Sequence, residues 1–352
     1  MLKFVLVGCG RIAKRHSELL GYKEIEGTEL VAVCDNVEKK ARKISDQFKV
    51  PYYTDMDEMM QKETVDVAVV LTPSGMHAEH VIKLAKYGKH IMVEKPMALT
   101  LDDADAMIRV CYENRARLFV IKQNRFNVPV MKLRKAIDAG RFGKLLMGTV
   151  RVRWSRNQAY YDQDAWRGTW AMDGGVLANQ ASHHIDMLEW MMGEVESVFA
   201  KSITALVDIE AEDSAVVTLK FRSGALGIVE ATTAVRPKDL EGSISILGET
   251  GTVVVGGFAV NKMETWNFTE ILPGDDDVLK KYSVNPPNVY GFGHQAYYEH
   301  VVECLNNGKQ HMIDGLEGRK SVELINAIYE SIETGKEVFL RFQPKKCKLG
   351  HR

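Results

Sequence analysis

The chain has 352 residues, 45% of them hydrophobic and 26% charged, which is typical of a globular protein long enough for two domains. Its 46 Lys and Arg residues nearly balance 47 Asp and Glu residues, for a net charge of −1, so no nucleic-acid or membrane partner is expected. No segment approaches the roughly 18 apolar residues of a membrane span. The five cysteines lie far apart without a Cys-x-x-Cys pair, which predicts reduced thiols, a cytoplasmic protein and no structural zinc.

The first part of the chain alternates strand-like with helix-like segments. Five segments rich in Val, Ile and Leu predict buried strands: 3–7, 29–34, 65–71, 90–93 and 118–122. Amphipathic stretches lie between them, and one carries Ile12, His16 and Leu19 at helical spacing. Strands that alternate with helices pair in parallel through right-handed crossovers. We therefore predict an α/β Rossmann domain, a doubly wound parallel sheet, over residues 1–124.

Beyond Asn124 most strand-like segments follow one another directly. They are 145–154, 197–206, 215–221, 225–233, 243–247 and 252–255. Tight-turn sequences such as Arg222-Ser223-Gly224 join several of them, which predicts antiparallel pairing. Two helices, 294–307 and roughly 315–334, are predicted to close the chain. Residues 125–352 are thus predicted to form an α+β domain with a large, mostly antiparallel sheet.

A glycine-rich turn follows the first predicted strand. Its sequence is Gly8-Cys9-Gly10-Arg11-Ile12-Ala13, with the spacing G-x-G-x-x-A. Gly8 permits a tight turn, and Gly10 lets the backbone approach a pyrophosphate group. Arg11 and Ile12 begin a helix whose free N–H groups and positive dipole end face the phosphates. The turn therefore predicts a dinucleotide site that includes Gly8, Gly10, Arg11 and Ile12.

An acidic residue ends the second predicted strand. Asp35 lies 25 residues after Gly10, close to the usual spacing of about 20. A carboxylate at this place accepts hydrogen bonds from the ribose 2′-hydroxyl and repels a 2′-phosphate. The next residue is Asn36, and no arginine follows it to bind a phosphate. The cofactor is therefore predicted to be NAD rather than NADP.

Further cofactor contacts are expected beyond the carboxyl ends of the other strands, where ligands of doubly wound sheets bind. The candidates are Thr72, Pro73, His77, Glu94, Lys95 and Gln123. His77 can equally begin the next helix, and Glu94-Lys95-Pro96 by itself is also compatible with a charged surface loop. Because the loop falls beside the nicotinamide end of the site, Lys95 is a candidate catalytic residue.

A second polar motif lies in the segment 174–186. If this segment is helical, Asn179, His183 and Asp186 lie on one face, at positions i, i+4 and i+7. A histidine that shares a face with an amide and a carboxylate is a candidate general base. His184 lies on a more apolar face and is predicted to pack. A metal site through His183 and Asp186 lacks the ligand spacing of known zinc motifs, so no metal is predicted.

These motifs, together with Glu317-Gly318-Arg319-Lys320-Ser321 in the last predicted helix, resemble the Gfo/Idh/MocA oxidoreductase family over almost the whole chain. The resemblance implies an NAD-dependent Rossmann domain, followed by a substrate-binding and oligomerisation domain formed by residues 125–352. It also implies that Lys95 and His183 flank the reacting hydroxyl, with either of them as the base. Many members have aspartate at the position of Asn179, which weakens the case for a carboxylate–histidine dyad in this chain.

A narrower resemblance is carried by Gln123-Asn124-Arg125, Trp166-Arg167-Gly168-Thr169-Trp170 and Asn179-Gln180-Ala181-Ser182-His183. These segments are similar to one branch of the family, the dehydrogenases of UDP-N-acetyl-2-amino-2-deoxyglucuronate, which also has asparagine at position 179. Such enzymes oxidise the sugar 3-hydroxyl with NAD in surface-polysaccharide synthesis. The resemblance implies a UDP-sugar uronate as substrate, a homotetramer or homodimer, and 2-oxoglutarate as an optional hydride acceptor. The implied substrate contacts are Asn124, Arg125, Arg156, Tyr161, Trp166, Arg167, Asn179 and His183.

Two alternatives stay open at this point. The first keeps the fold but assigns a free polyol, such as an inositol, or another sugar as the substrate. Against it stand Arg156 and Arg167, which lie among aromatic residues and suit a nucleoside diphosphate uronate better than a neutral polyol. The second is a non-catalytic sensor of NAD or a sugar nucleotide. A sensor has no need for Lys95 and His183 beside the nicotinamide, so the enzyme interpretation is favoured.

Overall fold

A computed structural model of the chain describes residues 1–283 and 293–340, and in this part the strands form two sheets. The strands of the first sheet are β1 (Leu2–Val7), β2 (Thr28–Cys34), β3 (Tyr52–Tyr53), β4 (Val67–Val70), β5 (His90–Val93) and β6 (Leu118–Val120). The helices that connect them are α1 (Ala13–Gly21), α2 (Glu38–Phe48), α3 (Met56–Lys62), α4 (His77–Ala85) and α5 (Leu101–Glu113). The strand order is β3-β2-β1-β4-β5-β6, and all the pairs are parallel. The predicted doubly wound fold is confirmed.

The second sheet has eight strands in the described ranges. They are β7 (Leu145–Arg153), β8 (Val195–Ile203), β9 (Ser214–Phe221), β10 (Leu226–Thr232), β11 (Glu241–Gly248), β12 (Gly251–Gly256), β13 (Lys262–Phe268) and β14 (Val338–Phe339). The α-helices of this part are α6 (Val128–Asp138), α7 (Gln158–Tyr161), α8 (Ser182–Met192), α9 (Val278–Lys281), α10 (Gly293–Asn307) and α11 (Gly315–Thr334), and a π-helix spans Val176–Gln180. None of the helices within these ranges is long and apolar enough to span a bilayer.

The pairing of the second sheet is mostly antiparallel, as the sequence predicts, with one parallel pair. Its strand order is β13-β12-β11-β7-β10-β9-β8-β14, and the predicted hairpins β9–β10 and β11–β12 are antiparallel. However, β7 and β10 run parallel. The connection between them passes through α7, α8, β8 and β9, which is long enough for the crossover that a parallel pair requires. The sheet is therefore mostly, but not entirely, antiparallel.

The C-terminal helices pack back against the first sheet. Tyr297, Tyr298 and Val301 of α10 are fully buried in the same core as β1 and β5. A second core fills the space between the large sheet and the helices α6, α8 and α11. The division of the chain after residue 124 stays a prediction; that position falls within a short 3-10 helix, Gln123–Phe126. Cys347 lies outside the described residues, and the other four cysteines are free thiols.

Candidate active site

One large cavity lies at the carboxyl ends of the first sheet, beside the loops that precede α8. Its volume is about 1310 Å³, which exceeds the roughly 300–1,000 Å³ that is common for a single small ligand. The cavity therefore has room for a cofactor and a substrate. All the predicted cofactor contacts line it: Gly8, Gly10, Arg11, Ile12, Asp35, Thr72, Pro73, His77, Glu94, Lys95 and Gln123. So do six of the predicted substrate contacts: Asn124, Arg156, Trp166, Arg167, Asn179 and His183.

The glycine turn between β1 and α1 fits a dinucleotide pyrophosphate. Gly8 has a φ of +95°, and a Cβ atom there would lie 2.8 Å from the carbonyl carbon of Leu71, so only glycine lets β1 and β4 approach so closely. At Gly10, in contrast, a Cβ atom would meet open space, which leaves this peptide accessible from the cavity. The α1 helix begins at Ala13 and directs its positive end toward the same space.

Asp35 fastens this turn to the end of β2. Its Oδ2 atom accepts a hydrogen bond of 2.7 Å from the backbone N–H of Cys9, and its Oδ1 atom accepts one of 2.8 Å from that of Val37. Each carboxylate oxygen has a second lone pair, so Asp35 retains acceptors for a ribose hydroxyl. Lys40 and Lys43 of α2 also line the cavity.

A buried network supports the loop that carries Lys95. Glu94 bonds His16 at 3.0 Å and lies 3.5 Å from Nε2 of His294. Burial alone would raise the pKa of Glu94, but the two histidines bring it well below its usual range. The side-chain nitrogen and oxygen atoms of His16, Glu94 and His294 lie within 4.8 Å of one another. A metal ion could also bind at this spacing, although hydrogen bonding is sufficient to explain it. His77 contacts the carbonyl oxygens of Thr72 and Pro96, both at 2.8 Å, and thereby ties the two loops together.

Lys95 and His183 both line the cavity. The Lys95 ammonium donates a 2.8 Å hydrogen bond to the backbone carbonyl of Asn179. Nε2 of His183 lies 3.0 Å from the amide nitrogen of Gln123. Burial, reinforced by the Lys95 charge, lowers the pKa of His183 well below its usual value, and burial lowers the pKa of Lys95 as well. At neutral pH the imidazole is therefore neutral and able to accept a proton.

The segment that carries Asn179 is not the continuous α-helix that the sequence predicts. Residues Val176–Gln180 form a π-helix, and the α8 helix begins only at Ser182. The predicted common face of Asn179, His183 and Asp186 assumed one continuous α-helix, which this segment does not form. The Asn179 side chain donates to Asp173. His184 packs against Trp154, with ring centroids 5.8 Å apart, and does not line the cavity.

Two of the predicted substrate contacts, Arg125 and Tyr161, do not line the cavity. The guanidinium of Arg125 is buried, forms two 2.7 Å hydrogen bonds with Asp186 and pairs with Glu317 at 2.9 Å. Asp186 also accepts from Lys122, and these cations hold its pKa below the usual range although burial raises it. Tyr161 is buried too, and its hydroxyl lies 3.3 Å from that of Thr233. Both residues have internal partners in place of substrate.

Arginines and aromatic rings surround the outer end of the cavity. The Arg167 guanidinium stacks 4.6 Å from the Trp166 ring and donates a 2.9 Å hydrogen bond to the Tyr160 hydroxyl. Arg156 lies 5.3 Å from the Tyr160 ring and pairs with Asp239 at 2.9 Å. This end of the cavity therefore combines planar cations with ring faces, as a nucleotide or a carboxylate requires.

Sequence patterns did not single out two polar side chains at the site. The amide of Gln180 is buried and lines the cavity, and among the described residues neither its nitrogen nor its oxygen has a hydrogen-bond partner. An unpaired buried amide of this kind is a candidate ligand contact. Asp173 accepts from Asn179 and from the backbone N–H of Gly168. Only the proximity of Gln180 to His183 in the sequence could have indicated its place.

The chain belongs to the Gfo/Idh/MocA oxidoreductase family. Residues 2–122 match the family's NAD-binding Rossmann fold, and residues 134–340 match its C-terminal alpha/beta domain. The protein is an NAD-dependent oxidoreductase that acts on a CH–OH group of a sugar or related polyol, so the sensor alternative has no support.

Several relatives cover nearly the whole chain. The chain is 31% identical over 348 residues to the myo-inositol 2-dehydrogenase of Thermotoga maritima, across 96% of this chain and 98% of that protein. It is similar to the WlbA dehydrogenase of Bordetella pertussis, solved with NADH and UDP-GlcNAcA, at 41% identity and a TM-score of 0.89 over 97% of this chain and 99% of that one. For the WlbA dehydrogenase of Chromobacterium violaceum, solved with the same ligands, the identity is 40% and the TM-score 0.91, over 97% of both chains.

The choice between NAD and NADP is expected to depend on Asp35. Replacing Asp35 by serine and Asn36 by arginine exchanges repulsion of a 2′-phosphate for a charge-assisted contact, and Lys40 and Lys43 already line that side of the cavity. The ratio of kcat/KM for NADP to that for NAD should rise by about tenfold or more. The control is Asn36→Arg alone, which keeps the carboxylate and should change the ratio less. An unchanged ratio in the double variant would mean that Asp35 does not read the ribose.

Proposed function

We propose that this enzyme oxidises the 3-hydroxyl of a UDP-N-acetylaminosugar uronate to a ketone, with NAD as hydride acceptor, in sugar-nucleotide synthesis for surface polysaccharides. The observation that carries the proposal is the arginine–aromatic end of the cavity, with Arg167 stacked on Trp166 and bonded to Tyr160. The two WlbA dehydrogenases that were solved with UDP-GlcNAcA, a ligand of this class, give it independent support at 40% and 41% identity.

Charge explains why this end of the cavity suits such a substrate. A pyrophosphate and a carboxylate bring about three negative charges, whereas the whole chain has a net charge of −1, so only local cations can offset them. Arg156, Arg167 and Lys238 line the cavity. Each arginine already has one carboxylate partner, Asp239 for Arg156 at 2.9 Å and Asp164 for Arg167 at 3.2 Å. Arg167 also stacks on Trp166 and donates to the Tyr160 hydroxyl. We assign Arg167 as the main anion contact, and the unpaired Gln180 amide as a contact to a neutral part of the sugar.

The proposed chemistry uses Lys95 and His183 on the reacting hydroxyl. His183, neutral because burial lowers its pKa, removes the hydroxyl proton as hydride leaves the carbon. The Lys95 ammonium bonds the same oxygen and stabilises the negative charge that develops there. The exchanged assignment, with Lys95 as base, is compatible with its lowered pKa. When bound, NAD supplies the acceptor for the hydride.

A second candidate, a dehydrogenase of inositol or another free polyol, rests on the 31% identity to the myo-inositol 2-dehydrogenase. The same Lys95 and His183 pair would serve that reaction. A neutral polyol, however, makes no use of the guanidinium groups and ring faces that Arg156, Arg167 and Trp166 bring to the cavity. We therefore place this candidate second.

The assembly is proposed to be a homotetramer or homodimer that uses the open face of the large sheet. Burial alternates along β9 and β10, and on the open face Val216 and Leu226 are 54% and 51% exposed. Arg151 and Arg153 pair there with Glu230 and Glu241. Mixed apolar and charged faces of this kind are typical of subunit interfaces.

The proposal also includes a cytoplasmic location, in line with the free thiols, and 2-oxoglutarate as final hydride acceptor.

Replacement of Arg167 tests the substrate site separately from the cofactor site. We expect Arg167→Ala to raise KM for UDP-GlcNAcA by about 30-fold or more, because loss of a buried charge-assisted contact costs about 2–5 kcal/mol. The KM for NAD should stay within about twofold. Steady-state kinetics that follow NADH absorbance measure both values. Arg109→Ala, at an exposed position on α5, is the control. A normal KM for UDP-GlcNAcA in Arg167→Ala would remove the main support for a uronate substrate.

A further inference from the structure

A buried carboxyl group contacts the start of the π-helix and does not line the cavity. Glu212 is only 4% exposed, and its backbone carbonyl accepts a 2.9 Å hydrogen bond from the N–H of Val176. Its side-chain Oε1 atom accepts a second one, of 2.9 Å, from the N–H of Leu177. The hydroxyl of Tyr329 donates to the same Oε1 at 3.0 Å and accepts from the N–H of Gly175 at 3.2 Å. Glu212 and Tyr329 thus bind three successive N–H groups at the start of the π-helix.

The glycine pair Gly174-Gly175 is what allows this approach. A Cβ atom on Gly175 would lie 2.3 Å from both the carboxyl carbon and the backbone oxygen of Glu212. Gly174 has a φ of +77°, where a side chain is strained, and a Cβ atom there would be 2.7 Å from that of Ala178. Gly175 therefore allows the contact with Glu212, Gly174 allows the left-handed turn before it, and neither glycine lines the cavity.

The π-helix in turn presents a carbonyl to Lys95. The N–H of Ala181 bonds the carbonyl of Val176 at 2.7 Å, five residues back, and α8 starts one residue later. In a regular α-helix the carbonyl of Asn179 would accept from the N–H four residues on. In the described structure its donors are instead the Lys95 ammonium at 2.8 Å and the Ser182 hydroxyl at 3.0 Å. Irregular helical turns of this type often occur at functional sites.

We propose that Glu212, together with Tyr329, is a positioning residue for the dehydrogenase reaction: it fixes the π-helix so that the Asn179 carbonyl holds Lys95 in place. The inference rests on the proposed role of Lys95. Burial raises the pKa of Glu212 to about 7, and the neighbouring Asp213 charge acts in the same direction. Its Oε2 atom has no hydrogen-bond partner among the described residues. Glutamine, which keeps an acceptor oxygen for Leu177, is therefore a close substitute, whereas alanine is not.

The first test follows the reactivity of Lys95 and needs no substrate. Competitive acetylation with acetic anhydride over a range of pH, read by peptide mass spectrometry, reports the pKa of Lys95. The charged or titratable groups around it are Glu94, Asp173, Arg167 and His183, and none of these is changed. In Glu212→Ala the ammonium loses its fixed acceptor, so the pKa of Lys95 should fall by about one pH unit. In Glu212→Gln it should stay at the wild-type value.

The second test is kinetic and uses NAD with UDP-GlcNAcA. Glu212→Ala should lower kcat by about 10- to 100-fold, the cost of a small displacement of a reacting group, with the KM for NAD within about twofold. Glu212→Gln should keep kcat within about threefold, and Tyr329→Phe should lie between the two. The control is Glu210→Ala, which removes an exposed carboxylate that bonds the backbone of Trp170 and should leave kcat unchanged.

The tests of Glu212 can be distinguished from a test of the proposed function. If the wild type does not oxidise UDP-GlcNAcA, the proposed function fails, while the acetylation profile still tests the positioning role. If Glu212→Ala does not fold, as judged by thermal unfolding, Tyr329→Phe with Glu212→Gln as control decides. A folded Glu212→Ala variant with the Lys95 profile and kcat of the wild type would overturn the proposal. Equal losses in Glu212→Ala and Glu212→Gln would overturn it as well.

Discussion

Replacing either His183 or Lys95 by alanine is expected to lower kcat by about 100-fold or more, the usual loss when a general base or a charge stabiliser is removed. His183 lines the cavity with a strongly lowered pKa, and Lys95 donates to the Asn179 carbonyl beside it. His183 is not among the predicted cofactor contacts, so in His183→Ala the dissociation constant of NADH should change by no more than about threefold. Steady-state rates with UDP-GlcNAcA and a fluorescence titration with NADH measure the two quantities.

The neighbouring histidine is the matched control for this pair. His184 is on the same helix and is also buried, but it packs against Trp154 and does not line the cavity. Its replacement by alanine should cost stability through the space it leaves, with kcat within about threefold of the wild type. If His183→Ala and His184→Ala lower kcat equally and severely, the assignment of His183 as the residue that contacts substrate is wrong.

A large loss of stability is expected when Asp186 is replaced by alanine. Its carboxylate pairs with both Lys122 and Arg125, which are only 3% and 2% exposed. Without it two cations remain in the core with only Glu317 as a charged partner of Arg125, and breaking a buried pair costs about 3–5 kcal/mol. Denaturant unfolding followed by circular dichroism measures the loss of the free energy of unfolding.

The pH dependence of this loss follows from the pKa of Asp186. The cations hold the folded pKa below the usual value although burial raises it, so the carboxylate stabilises the fold fully above the unfolded pKa of about 3.9. The difference between wild type and variant should shrink as the pH falls below that value toward the folded pKa. Asp105→Ala, which breaks an exposed pair with Arg319, should cost less than about 1 kcal/mol. An equally small loss for Asp186→Ala would show that the buried cations have other compensation.

Short-range patterns were sufficient to predict the Rossmann sheet and its turn. The motif from Gly8 to Ala13 directly follows a buried strand, and Asp35 ends the next one, so local geometry alone places them together. The same reasoning located Lys95, because the carboxyl ends of parallel strands share one edge of the sheet. These features depend on neighbours in sequence and on the regular order of strands.

The features that sequence analysis missed depend on distant contacts. The sequence motif predicts Arg125 as a substrate contact, but in the structure Arg125 pairs with Asp186, which is 61 residues away in the chain. The break between the π-helix and α8 lies beside a contact with Glu212, which is 35 residues away from Leu177 in the chain. Tyr160 and Tyr161 share a single turn of helix, α7, where nothing in the sequence indicates which ring faces the cavity. Strand β13 alternates polar and apolar residues only in part, so its pattern was weak.

The central claim, a uronate substrate, is tested most directly by comparing kcat/KM for UDP-GlcNAcA, UDP-N-acetylglucosamine and myo-inositol with NAD and the wild-type enzyme, followed through NADH absorbance. Removing one partner of a buried, hydrogen-bonded charge pair costs about 2–5 kcal/mol, so we expect UDP-GlcNAcA to exceed each of the others by about 30-fold or more. A comparable kcat/KM for UDP-N-acetylglucosamine would show that no cation in the cavity reads the carboxylate. A comparable value for myo-inositol would contradict the account and favour the polyol dehydrogenase.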